Sequence, residues 1–307
     1  MSLNTDALRL FVLAAELLNI SAAGRRLGLA PAVSSAKLAK LEQHLGAELL
    51  HRTTRKVSLS LEGADFLPFA REIIAQEEAA LASLGKQTTA LRGTLRFAAP
   101  STFAQLYIMP ILPKFLERHP ELTLDLRLSD LQLDLIEGSY DLALRNAPLF
   151  DTSLKGRKLS DDQRILCASR EYLASHGVPQ TPDDLAGHSL IAFRNRDARP
   201  LKGPGGATGH FDPANAEGRL ILDDGQNQVR ATLAGAGISL NAVWAVHAEL
   251  ASGRLVRVLP DFEVAEDNVL WLIYPKSNVL SPKVRVFLDF LIDEIGKAPP
   301  WMQNGPR

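Results

Sequence analysis

The stretch Ser21 to Leu45, SAAGRRLGLAPAVSSAKLAKLEQHL, limits the fold more than any other part of the chain. It reads as a short helix, a tight turn at Gly28-Leu29, and a longer helix opened by Pro31, whose fixed φ suits a first helical position. Leu38, Leu41 and Leu45 make an apolar stripe on the longer helix. At about 100° per residue, Ala32, Val33, Ala36 and Lys40 project from the far side, flanked by Ser35 and Lys37. A short helix crossing a second that presents small residues and lysine has the form of a helix-turn-helix. The small residues matter because a helix entering a major groove must bring its backbone close to the bases.

The neighbouring segments suit that reading. A first helix is predicted from Thr5 or Asp6 to Leu18, with Leu8, Phe11, Val12 and Ala15 on one face. Thr5 is its expected cap, Asn19 ends it, and Ser21 is the expected cap of the next helix. Three facing stripes then form a small trihelical core. In LLHRTTRKVSLS, Leu49 to Ser60, two short strands are predicted at Leu50 to Thr53 and Lys56 to Leu59, around a Thr54-Arg55 turn. A hairpin with Arg52, Arg55 and Lys56 at its tip is a wing, and such cations fit phosphates or a minor groove.

Ser60 is set to cap a long helix to about Lys86. Along it Leu67, Ala70, Ile74, Glu77, Leu81 and Leu84 alternate at heptad spacing with one polar break, a seam by which two such helices would pair. The alternative is a lone amphipathic helix packed on its own domain. Pro68 is expected to bend this helix or loosen its first turns.

Charge is unevenly spread. Residues 1–60 hold eight Lys/Arg against four acids, while the whole chain of 307 residues has a net charge of -1. A basic head on a faintly acidic body suits contact with a polyanion through the head alone. The single cysteine, Cys167, excludes an intrachain disulfide and a multi-Cys zinc cluster, and its apolar setting in RILCA predicts a buried core thiol. Asp6, Arg9 and Glu16 interrupt the apolar residues at the N-terminus, and no run approaches the roughly 20 apolar residues of a membrane span. The expected location is the cytoplasm, with no membrane partner.

The order of helix, helix-turn-helix, wing and linker helix, with LLHRTTRKVSLSLEG following LEQHLGAE, resembles the LysR-type transcriptional regulators. The similarity continues in LRGTLRFAAPSTFAQLYIMPILPKFLERHPELTLDLRLSD and ends in LSPKVRVFLDFLIDEI, covering about residues 3 to 296. There are departures. The family usually has Ser or Thr where Ala30 precedes Pro31, a cap worth about 1 kcal/mol. Gly24 replaces a usual Ala, at a cost of about 1 kcal/mol unless close packing offsets it. A long polar residue is common where Ala36 stands. The edge of Ala32, Val33 and Ala36 instead suggests apolar contact with thymine methyls. The nominated DNA contacts are Ser21, Arg25, Arg26, Pro31, Ala32, Val33, Ser35, Ala36, Lys37 and Lys40 on the helices, and Arg52, Thr53, Arg55 and Lys56 on the wing.

After a joint at Leu91 to Gly93, the chain reads as strand Thr94 to Ala99, helix Phe103 to His119, strand Leu122 to Leu128, helix Leu131 to Glu137 and strand Asp141 to Arg145. Such alternation indicates an α/β domain with parallel strands. A second set follows, and Ser281-Pro282 opens a last helix to about Ile295, before a tail, GKAPPWMQNGPR, expected to be loose. The fold class is thus α/β overall: a winged helix-turn-helix (1–60), a linker helix (61–91) and an effector-binding domain (92–300). The resemblance implies two periplasmic-binding-protein-like lobes, about 92–160 with 269–296, and about 161–268.

Ligands in α/β sheets sit beyond the carboxyl ends of strands. Ser101, Thr102 and Phe103 lie there, where free N–H groups and two hydroxyls favour an anion such as a carboxylate. Ser129 ends the next strand and Arg145 the one after; Arg145 either clamps a carboxylate or neutralises Asp130 or Asp141. Gln226 and Asn227 lead into a later helix and are expected to face the same cleft, with Asn195 a further candidate.

Enzyme signatures are poor. GPGGATG, Gly203 to Gly209, fails the dinucleotide pattern at Thr208 and lacks the P-loop Lys, so a hairpin loop is expected. The seven histidines form no His-x-x-x-His pair, and no Gly-x-Ser-x-Gly elbow occurs. The reading is a cytoplasmic, non-enzymatic DNA-binding regulator without metal or cofactor. Its expected partners are double-stranded DNA, a small effector, further copies of itself and RNA polymerase. The rivals are a small-molecule-binding module whose head makes protein contacts, and an enzyme on the α/β domain.

Overall fold

The computed structural model describes residues 3–52, 57–83, 91–130, 140–146, 154–265, 269–275 and 280–303. The expected wing tip (Thr53 to Lys56), Leu84 and the expected helix Leu131 to Glu137 lie outside the described residues. The chain divides into two compact units, Met1–Thr89 with Ser277–Pro282, and Ala90–Lys276 with Lys283–Arg307.

The first unit is built from α1 (Thr5–Leu17), α2 (Ile20–Arg26), α3 (Pro31–Leu45), β1 (Leu50–Arg52), β2 (Val57–Leu59) and α4 (Leu61–Ser83). Two of the expected caps move by one or two residues. Asn4 caps α1 by accepting from the Ala7 N–H at 3.0 Å, and Asn19 caps α2 by accepting from the Ala22 N–H at 2.9 Å. Thr5 and Ser21 therefore sit inside the first turns. Asn caps at least as well as Ser or Thr, and Leu18, left-handed at φ 51°, turns the chain so that Asn19 starts α2 rather than ending α1.

Leu8, Leu10, Phe11, Ala14, Ala23, Leu38 and Leu41 make the trihelical core. Gly24 packs against α3 so closely that a Cβ would lie 2.0 Å from Ser34 Oγ, so close packing occupies the place of the usual Ala methyl. Glu42 on α3 accepts from the N–H groups of Leu49 and Leu50 at 3.0 and 3.1 Å, which anchors the start of β1. β1 and β2 pair antiparallel, Leu50 opposite Leu59 and Arg52 opposite Val57. Ser60 caps α4 as expected: its hydroxyl accepts from the Gly63 N–H at 2.8 Å and donates to the Glu48 carbonyl at 2.5 Å.

The seam on α4 needs correction. Leu67 and Ala70 are buried in the unit's own core and Ile74 packs against it, so Leu67 and Ala70 have no surface left for a partner helix. Glu77, the polar break, pairs with Arg9 of α1 at 3.1 Å, and Arg71 pairs with Glu16 at 3.3 Å. The heptad spacing thus records, in its first half, a helix docked on α1 of the same chain. α4 runs through Pro68 without a break in its helical assignment.

The second unit begins with β3 (Gly93–Ala99), α5 (Ser101–Phe103), a π turn and a 3-10 turn leading to α6 (Leu112–Arg118), then β4 (Leu122–Leu128), β5 (Leu142–Asn146) and β6 (Leu154–Asp161). It continues with β7 (Arg164–Ser169), α7 (Arg170–His176), β8 (Leu190–Phe193), β9 (Arg199–Lys202), β10 (Thr208–Phe211) and β11 (Ile221–Leu222). Then come α8 (Gly225–Leu233), β12 (Ile238–Ala242), α9 (Val243–Ala251), β13 (Leu255–Val258), β14 (Glu263–Val264), β15 (Val269–Pro275), α10 (Pro282–Leu291) and α11 (Pro300–Gln303).

Two five-stranded sheets result, ordered β4-β3-β5-β15-β6 and β11-β8-β12-β7-β13. They are mixed rather than parallel. β3 runs parallel to β4 and β5, but β15 returns from the other sheet and pairs antiparallel with β5 and β6. β7 likewise enters the second sheet straight from β6, antiparallel to β12. GPGGATG forms the expected hairpin loop between β9 and β10, with Gly205 and Gly206 at φ 63° and 82°.

The tail is not loose where it is described. Trp301 on α11 is 3% exposed and packs against Tyr107 and Phe103, at ring-centroid distances of 4.6 and 5.7 Å. Burial of one indole outweighs the turn-forming Pro pair that precedes it.

A Cβ at Gly63 would lie 2.0 Å from the Leu49 carbonyl oxygen, which is backbone and unable to swing away. Gly63→Ala is expected to cost about 1–3 kcal/mol, as overpacking does, read as a lower melting temperature; an unchanged melt contradicts the contact. In the second unit, burial holds the His188 imidazole below its usual 6.5, beside the Tyr172 hydroxyl at 3.2 Å. The unfolded chain then binds the proton first, so stability should fall as pH drops below about 6.5. Denaturant melts of wild type and His188→Gln should diverge below that pH; parallel curves would contradict it.

Candidate functional site

The outer side of α3 is the exposed face of the helix-turn-helix. Pro31, Ala32, Val33, Ser35, Ala36 and Lys40 are exposed there, Val33 at 51%. Ala30 provides no side-chain cap, and the buried Ser34 hydroxyl instead donates back to the Ala30 carbonyl at 3.0 Å. Lys37 is tied to Asp6 of α1 by an ion pair of 3.3 Å, so its ammonium is held at the head's edge. Arg25 and Arg26 are exposed in the last turn of α2, where cations suit the helix dipole, and Ser21 is half-buried in its first turn. Arg52 belongs to β1, while Thr53, Arg55 and Lys56 fall among the residues not described.

The second unit has a cleft of about 410 Å³ at the carboxyl ends of β3, β4, β5 and β8. Thr102, Ser129, Arg145 and Asn195 line it, as do Arg164, Arg194 and Arg199, which were not foreseen. Four expected residues lie elsewhere. Phe103 is fully buried, edge-on to Trp244 and packed against Tyr107 and Trp301, about one 100° helical step round from Thr102. Ser101, Gln226 and Asn227 are not among the lining residues. α8 begins at Gly225, and the helical period turns Gly225 and Gln228 toward the cleft instead, leaving Asn227 exposed with its N–H on Asp224 at 2.7 Å.

The anion expected near Thr102 is already present, and it is a side chain. Asp130 accepts from the Thr102 hydroxyl at 3.1 Å, from the Thr102 N–H at 3.5 Å and from the Gly225 N–H at 2.7 Å. One carboxylate thus joins the end of β4, the start of α5 and the positive end of α8. Gly225 makes room for this, since a Cβ would lie 3.0 Å from Thr102 Oγ1 and 3.3 Å from Asp130 Oδ2. Asp141 is engaged separately, by the Arg96 N–H at 2.8 Å and Lys283 at 3.4 Å.

Beneath the cleft, Asp162 lies at the crossover between β6 and β7. It is hydrogen-bonded by Asn146 and paired with Arg164 at 3.4 Å. Burial raises its carboxyl pKa, and Arg164 opposes the rise. Gln228 is 4% exposed, and its Nε2 has no hydrogen-bond partner among the described residues. Cys167 is buried in β7, and burial pushes its thiol up to about 11, which keeps it protonated and inert as expected. Among the described residues no cluster of His, Cys, Asp or Glu is set to hold a metal, and no helix is long and apolar enough to cross a membrane.

A helix-turn-helix with its second helix outward, joined in one chain to a two-sheet unit with a polar cleft, defines a ligand-responsive DNA-binding regulator. The family model described as the bacterial regulatory helix-turn-helix protein of the lysR family matches residues 5–64, and the LysR substrate binding domain matches residues 88–296. The chain belongs to the LysR family of transcriptional regulators. The transcriptional regulator CrgA of Neisseria meningitidis serogroup C (strain 8013) is 31% identical over 296 residues, 96% of this chain and 98% of its own. DmlR of Escherichia coli (strain K12) is 32% identical over 291 residues, 92% of each. Among solved structures, CrgA superposes with a TM-score of 0.60 at 30% identity, covering 96% of this chain and all of that one. Full-length AphB, the Vibrio cholerae virulence activator, gives 0.59 at 26%, covering 95% of this chain and 100% of that one.

The aromatic cluster behind Thr102 carries its own prediction. Trp301→Ala removes a ring lodged against Phe103 and Tyr107. It should destabilise the second unit by about 3–5 kcal/mol in urea unfolding; a loss within error of zero would show that α11 is only laid on the surface.

Proposed function

We propose that α3 reads operator DNA through its apolar edge and Lys40, while Arg25, Arg26 and the wing cations position the head on phosphates. The observation that carries this reading is the exposed face of Ala32, Val33 and Ala36 on the second helix of a helix-turn-helix. Copies of the chain pair through the part of α4 beyond its contact with α1, where Leu81 is exposed, so that two heads meet two half-sites. Ile74, seven residues earlier on the same face, is half-buried. An effector in the cleft of the second unit shifts the closure of its two sheets, and with it how the paired heads hold and bend DNA. The protein acts in the cytoplasm, as a regulator rather than an enzyme, and bears on RNA polymerase at the promoters it occupies.

The test uses fragments selected from genomic DNA by the purified full-length chain. Affinity should fall by orders of magnitude between roughly 50 and 200 mM salt. Replacing contacted thymines by uracil should weaken binding about fourfold per methyl lost, from about 0.8 kcal/mol of apolar contact each. A flat salt dependence would sink the phosphate contacts; indifference to both uracil and G·C replacement would sink the apolar readout.

A further inference from the structure

Asp130 changes what the cleft can accept. Its carboxylate already holds the Gly225 and Thr102 donors, so a ligand's anion cannot take that seat without facing a like charge. An ionised carboxylate offers about four acceptor sites, and three are in use, which leaves room for one donor from a molecule in the cleft that Asp130 lines. Elsewhere the lining is cationic: Arg145, Arg164, Arg194 and Arg199. Asp162 offsets part of the charge of Arg164. Arg194 is held in a left-handed conformation, φ 64°, with its guanidinium 5.1 Å from the centre of the Phe193 ring. Gln228, almost wholly buried, lines the same space; its Nε2 has no hydrogen-bond partner among the described residues, and a buried donor without an acceptor is costly.

Resting on the regulator reading of this cleft, we propose that its effector is a small hydroxylated monocarboxylate. The carboxylate lies on the arginine wall, the hydroxyl donates to Asp130, and a further oxygen of the ligand accepts from Gln228 Nε2. Dicarboxylates are disfavoured, because their second anion would stand beside Asp130.

The experiment is calorimetric titration of the full-length chain with two matched series: propionate, lactate and malonate; and benzoate, 3-hydroxybenzoate and isophthalate. In at least one series the hydroxylated acid should bind about tenfold tighter than its parent, the size of one hydrogen bond to a charged group, and the dicarboxylate no tighter than the parent. Asp130→Asn keeps an acceptor for the Gly225 N–H but removes the charge. It should erase most of the hydroxyl advantage and tighten the dicarboxylate. Gln228→Leu should weaken the hydroxylated acid and its parent alike, leaving their ratio. A wild-type preference for the dicarboxylate, an unchanged ranking in Asp130→Asn, or no binding by any acid in either series overturns the proposal. Binding of selected genomic fragments by the same preparation reports separately on the regulator reading.

Discussion

The bonds at Asp130 govern the second unit. This carboxylate leaves the first sheet at the end of β4 and receives the leading N–H of α8, which belongs to the second sheet. Charge-assisted hydrogen bonds of this kind are among the stronger polar contacts available to a protein. The bond also neutralises the positive end of α8 without any bound molecule. Asp130 thus ties the two sides of the cleft together, and on the proposed reading an effector acts by differential contact with this arrangement and a displaced one. The same contact leaves little room at Gly225, where a Cβ would lie 3.0 Å from Thr102 Oγ1 and 3.3 Å from Asp130 Oδ2 and would press on the hydrogen bonds between them.

The head was largely legible in its sequence because its signals are local. Pro31, the Leu38-Leu41 stripe and the Gly28 turn each act within one helical turn, and the structure places them as read. Caps are less certain from sequence when two capping residues lie close together. Asn4 and Thr5, or Asn19 and Ser21, compete for one position, and the winner depends on where the preceding chain bends.

Non-local features were the harder ones. The heptad seam of α4 has the spacing of a coiled coil, yet Leu67, Ala70 and Glu77 are satisfied by α1, and spacing alone does not say whose surface covers a stripe. In the cleft, Thr102, Ser129, Arg145 and Asn195 follow from strand order, whereas Gln226 and Asn227 failed because a one-residue change in the start of α8 turns a side chain by about 100°. Trp301 had no local signal at all: its partners Phe103 and Tyr107 lie some 200 residues away in the chain. The four cleft arginines come from β5, β7, the turn after β8 and β9, so no window of sequence shows them together.

On the proposed reading, an apolar recognition edge has a consequence for assembly. A bidentate side-chain contact with a base is worth about 1–3 kcal/mol of discrimination, and Ala32, Val33 and Ala36 have no group that can make one. A methyl contact is worth about 0.8 kcal/mol, so this edge adds only a few kcal/mol to whatever discrimination Lys40 supplies. Two heads on a matched pair of half-sites add their discrimination, and the sequence-dependent stiffness of the DNA between them adds more. On the proposed reading, the exposed Leu81 and half-buried Ile74 of α4 matter as much to specificity as α3 does, because they supply the pairing that a weakly discriminating head needs.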